Sequence, residues 1–162
     1  MRNAIFGVFL TVAIMFTVFA VVFLIVVGYQ LDRDIDSLID RSQVAADRGD
    51  MLGYMEQLKA NMEARGIIKG HTALVFKNPR NDMALHYKAV NRVIERLDSI
   101  KDMPRNSTQY QVALDDIRGV IRELPNPAIG WLWVTYGWWL LLIGTVLWIL
   151  TGITFFTSDY YY

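Results

Sequence analysis

The chain has 162 residues, room for about one ordinary domain, and its 16 basic and 16 acidic side chains leave no formal net charge. Apolar residues make up 54% of it, and cysteine is absent. Charge balance argues against nucleic acid or an anionic membrane face as the main partner of the polar segment, and the missing thiols exclude disulfides, thiolate metal centres and cysteine nucleophiles.

The charge is unevenly spread. None falls between Asn3 and Leu31 or between Pro125 and Ser158, so all of it except Arg2 and Asp159 lies from Asp32 to Glu123. A bilayer core about 30 Å thick needs roughly 20 apolar residues in a helix. Both uncharged segments exceed that. The sequence therefore predicts an all-α membrane protein with transmembrane helices at 1–30 and 125–157, a water-exposed segment at 31–124, and a short tail at 158–162. The first span reads as an uncleaved signal anchor. Its apolar run, Ala4 to Val27, outlasts a signal-peptide core, and no small-residue cleavage site follows it.

Four runs of helical period lie between the spans. Leu31, Ile35, Leu38, Ser42 and Ala45 continue the first span without a break, predicting one long helix that ends at Gly49-Asp50, with Asp50 capping the next. Met51, Met55, Leu58 and Met62 form the second stripe, closed by Gly66. The third starts near Asn81 and carries Met83, Tyr87, Val90, Ile94 and Leu97. The fourth follows Pro104 and carries Tyr110, Leu114, Ile117, Ile121 and Leu124, with Thr108 and Gln111 fitting a capping box. Four amphipathic helices must bury their stripes together, and an antiparallel four-helix bundle is the simplest solution. Pro125 ends the fourth helix, and Asn126 with Pro127 suits the start of the second span.

The connector 66–82 fits a bundle least well. Its apolar Leu74, Val75 and Phe76 are flanked by Lys69, Lys77 and Arg80. Three readings stand: a loop that plugs the bundle end, a membrane-proximal segment with its basic flanks on lipid phosphates, or a strand pairing with a partner.

Few residues offer catalytic or metal-binding chemistry. Asp32, Asp34 and Asp36 resemble the opening of a calcium loop, but Ser37 stands where the turn glycine belongs and Gln43 where a bidentate Glu is needed. The row Asp32, Asp36 and Asp40 reads instead as a solvated helix face. His71 and His86 form no metal-binding pair at helical spacing, and no nucleophile elbow or phosphate-binding glycine loop occurs. The methionines read as core filler. Asn106-Ser107-Thr108 is a formal glycosylation sequon that helix capping explains equally well. The expectation is a non-enzyme without cofactor or metal.

The spans carry the stronger signals. Gly130, Gly137, Gly144 and Thr151 recur every seven residues, which predicts one smooth helix-packing face. Trp131, Trp133, Trp138 and Trp139 crowd the start of the second span, and Tyr160, Tyr161 and Tyr162 follow its end, as membrane-interface anchors would. Neither span holds an ionisable residue, which speaks against ion or proton transport. Its short N-terminal tail predicts cytoplasmic termini and an extracytoplasmic bundle, in a cell or inner membrane.

The leading expectation is a non-catalytic accessory or structural subunit of a membrane assembly, with lipid, other membrane subunits or a second copy as partners. The layout is also similar to the input half of bacterial chemoreceptors and sensor kinases, an analogy of architecture without a shared motif. It implies the alternative: a ligand-binding bundle that signals through a partner.

Overall fold

The computed structural model describes residues 2–159, so Tyr160, Tyr161 and Tyr162 lie outside the described residues. Helix α1 (Arg2–Leu31) passes through a π-helical turn at Asp32–Asp36 into α2 (Ser37–Val44). Helices α3 (Arg48–Ala64), α4 (Met83–Ser99) and α5 (Thr108–Arg122) follow. Helix α6 (Ala128–Leu132) then runs through a second π turn, Trp133–Gly137, into α7 (Trp138–Asp159). Among the described residues there is no strand, only one isolated bridge between His71 and Asp82. Two continuous helices, Ala4–Val44 with 41 residues and Ala128–Thr157 with 30, are long and apolar enough to cross a bilayer.

Helices α3, α4 and α5 each start where a side chain satisfies a free backbone N–H of the first turn. Three caps lie one to three residues from the expected positions. Asp47, not Asp50, caps α3, accepting from the Asp50 N–H at 3.0 Å. Asp82, not Asn81, caps α4, because Asn81 is engaged in its own capping box with Asn78. Ser107, not Thr108, caps α5; it accepts from the Tyr110 N–H at 3.1 Å, while Gln111 turns to the Arg105 carbonyl. In each case the residue with extended backbone wins, since a cap must stand outside helical dihedrals. Gly66, at φ 70°, lets the chain leave α3 in the left-handed region.

The apolar stripes meet as their periodicity requires. Helix α2 packs on α3 and α5, and α4 packs on the same two. Leu31, Ile35, Leu38, Met51, Met55, Leu58, Met62, Met83, Leu97, Leu114, Ile117 and Ile121 share one core and are essentially inaccessible to solvent. Burying a side chain of this size is worth about 1.5–3 kcal/mol, so this cluster outweighs any polar contact around it. Arg48 and Arg118 tie the far end. The Arg118 guanidinium donates to the Ala45 carbonyl at 2.8 Å, and Arg48 pairs with Asp98 at 3.1 Å. Helices α1 and α7 pack along each other, and α6 meets both α1 and the first π turn.

Candidate functional site

The residues singled out in the sequence gather mainly at the joint between the apolar helix pair and the polar helices. The joint is built from the two π turns, α6 and the connector. A π turn inserts one residue and shifts the helix faces beyond it. Within the first, the Ser37 hydroxyl donates to the Arg33 carbonyl at 2.5 Å, and the Asn61 amide donates to the Asp34 carbonyl at 2.8 Å. Asp34 also pairs with Arg33 and, across to α3, with Arg65.

The same turn corrects the reading of Asp32, Asp36 and Asp40 as one solvated row. Asp32 and Asp40 are exposed, but Asp36 is only 6% accessible. Its carboxylate accepts from the Ala128 N–H at 3.4 Å, across 92 residues of chain. Asn126 was expected to cap the second apolar helix, but no side chain within the helix does so, and Asp36 serves from outside. A carboxylate suits the positive end of a helix. Burial is the larger effect, pushing the Asp36 pKa up to about 6. The Ala128 N–H opposes the rise, while Asp32 and Asp40 add to it.

The four small residues do not share one open face. A Cβ on Gly130 would lie 2.7 Å from the Cβ of Thr72, so the connector sits directly on it. A Cβ on Gly137 would lie 2.2 Å from the Trp133 ring, which folds back over it. Gly144 faces Phe16 of α1 at ordinary contact distance, and Thr151 is buried. The heptad register assumes regular α-helix, and the π turn between Gly130 and Gly137 breaks it. Of the tryptophans, Trp131 is half-buried and meets Tyr136 edge-on at 5.8 Å, while Trp133, Trp138 and Trp139 are exposed.

Two further contacts lock the apolar pair, and neither has a sequence signature. The Trp148 indole N–H donates to the Thr17 hydroxyl at 3.2 Å, and Thr17 donates on to the Ala13 carbonyl at 2.8 Å. Phe23 meets Tyr136 edge-on at 5.4 Å. Beside these contacts runs an apolar groove of about 550 Å³, lined by Phe16, Thr17, Ala20, Gly137, Gly144 and Trp148 among others.

In the connector, Leu74, Val75 and Phe76 are 49, 77 and 83% exposed. They stay outside the core, whereas Ile67, at the connector's start, is fully buried in it. Lys69, Lys77 and Arg80 are exposed beside them.

The histidines stay apart in role. His71 forms the isolated bridge with Asp82. His86 is buried, with Nε2 at 2.8 Å from the Arg80 carbonyl and Nδ1 unpartnered. Burial holds its pKa below the usual value, so the ring is neutral at pH 7 and Nε2–H is the donor. Among the described residues no three His, Asp or Glu side chains converge as a cation site. No known protein family matches the chain, and neither a curated protein nor a solved structure shows significant similarity to it.

Proposed function

We propose that the protein is a two-span integral membrane protein and a non-catalytic accessory subunit of a larger membrane assembly. In this reading the polar helices form an antiparallel four-helix bundle outside the cytoplasm, and both termini are cytoplasmic. The observation that carries it is the groove between α1 and α7, about 550 Å³ and lined almost wholly by apolar side chains. Helices in lipid associate by close packing rather than by hydrophobicity, and a groove floored by Gly144 admits close approach of another helix. The enclosed core favours the same choice over a ligand held inside the bundle; the groove of about 590 Å³ beside Arg80, His86 and Glu123 lies open on its surface. The void among Ile35, Leu58, Met62 and His86 is about 10 Å³. A small-molecule site needs about 300 Å³ or more.

Purification from native membranes in mild detergent, followed by mass spectrometry, tests the reading. The expected result is a co-purifying membrane protein at fixed stoichiometry that Leu141→Trp releases, because the larger ring on this 56% exposed side chain fills the groove. Gly144→Leu and Gly137→Leu serve less well, since the first would press on Phe16 of α1 and the second would first evict the Trp133 ring. A wild-type chain that purifies alone, or a partner indifferent to Leu141→Trp, would overturn the groove as the docking surface.

A further inference from the structure

The connector carries a second surface. Its root is pinched shut: the Thr72 N–H donates to the Asn81 carbonyl at 2.8 Å, and the Met83 N–H donates to the Gly70 carbonyl at 2.9 Å. Gly70, at φ 91°, makes the entry turn. Residues 73–80 therefore form a closed tip. Thr72, at its base, rests on Gly130 in the first turn of the second apolar helix, beside Trp131. The tip is thus anchored at the level of the tryptophan cluster. It exposes three consecutive apolar side chains, Phe76 to 83%.

Part of its backbone, from the Val75 carbonyl to the Arg80 N–H, is already bonded within the loop. The Asn81 side-chain amide donates to the Phe76 carbonyl at 2.7 Å, and the Lys77 N–H donates to the Val75 carbonyl at 3.2 Å. The Asn78 N–H reaches the Asn81 side-chain oxygen at 3.1 Å, and the Arg80 N–H reaches that of Asn78 at 2.9 Å. Polar backbone already bonded within the loop costs less to desolvate. From Lys69 to Asn81 no acidic residue occurs. Among the described residues Lys69, Lys77 and Arg80 join no ion pair.

We propose that the 73–80 tip is a lipid-contacting element: Leu74, Val75 and Phe76 enter the interfacial layer beside the second span, and Lys69, Lys77 and Arg80 sit on lipid phosphates. The inference rests on the membrane-spanning reading of the two apolar helices. An apolar tip with an unpaired cationic rim is complementary to an acyl layer beneath a phosphate layer.

The chain's lack of cysteine gives a direct test. Val75→Cys, Val18→Cys in α1 and Met103→Cys at the far turn are each labelled with a fluorophore. The full chain is then reconstituted in phosphatidylcholine–phosphatidylglycerol vesicles. The expected result is that the label at 75 is quenched by a lipid-borne quencher and shielded from aqueous iodide, as at 18, whereas the label at 103 behaves oppositely. A label at 75 that matches 103 while 18 stays in lipid overturns the tip insertion and leaves the spans standing. Iodide access at 18 as well removes the membrane reading and the inference with it. A label at 75 shielded from both quenchers overturns lipid contact in favour of a protein neighbour. Replacing Lys69, Lys77 and Arg80 by Gln together should weaken lipid quenching at 75 and leave 18 unchanged; no change at 75 overturns the phosphate contacts.

Discussion

The polar helices and the apolar helix pair are both helical, yet they are held together in different ways. In the polar segment each helix has one apolar stripe, and the stripes converge on a core from which Met55, Leu58 and Ile117 are almost wholly withdrawn from solvent. In the apolar pair most large side chains, such as Val18 at 59% and Ile25 at 65%, face outward. The pair is joined by a few specific contacts: Trp148 on Thr17, Phe16 against Gly144, Phe23 against Tyr136. Burial determines one region, and local shape with single hydrogen bonds determines the other.

The sharpest way to break this comparison is to delete equal volumes from both regions. Leu58→Ala should cost about 3 kcal/mol, because a fully buried leucine leaves a cavity. Ile25→Ala in α1 removes the same number of atoms from a side chain 65% exposed and should cost little. Thermal melts of the reconstituted chain, followed by circular dichroism, compare the two. Equal losses would mean that α1 is packed as tightly as the core.

Asp36→Asn probes the seam between the regions. The carboxyl titrates near 3.8 when free and near 6 when folded. Below about pH 3.8 it is protonated in both states and its burial carries no ionisation cost. As pH rises through 6 the folded protein must hold a buried charge, and stability is lost. Asparagine keeps an acceptor for the Ala128 N–H and has no charge to bury. The variant should therefore gain on the order of 2 kcal/mol above pH 6.5 and nothing below pH 4. Unfolding midpoints across that range decide it, and a pH-independent difference would contradict the burial of a titrating carboxyl.

The smallest expected effect lies within the apolar pair. Thr17→Val removes the acceptor for the Trp148 N–H at nearly constant shape and should weaken α1–α7 pairing by about 0.6 kcal/mol. Detergent-titrated unfolding with Trp148→Phe, alone and combined, isolates the pair energy. Additive losses would show that the two side chains do not interact.

The stripes were legible because amphipathic period reports which face is buried. Leu31, Ile35, Met51, Leu58, Leu114 and Ile121 are all core residues as their spacing required, and Tyr87 and Ile94 at the stripe edge are half-buried. Helix ends were less legible, because Asp47 and Asp50, or Ser107 and Thr108, are chemically near-equal caps that only backbone dihedrals separate. The joint was hardly legible at all. Nothing local marks Asp36 as the partner of Ala128, or Thr72 as the cover of Gly130.

The sequence by itself determined the helical composition, the two helices apolar and long enough to span a bilayer, and most of the core of the polar helices (though not Ile39, Ile67, Val93 or Ile100), since each follows from which residues avoid water and at what period. Tertiary structure alone decided which face of an all-apolar helix meets which neighbour. There, period carries no contrast. The outcome rests on two π turns, the Trp133 ring over Gly137, and a carboxylate brought across 92 residues to the start of a helix.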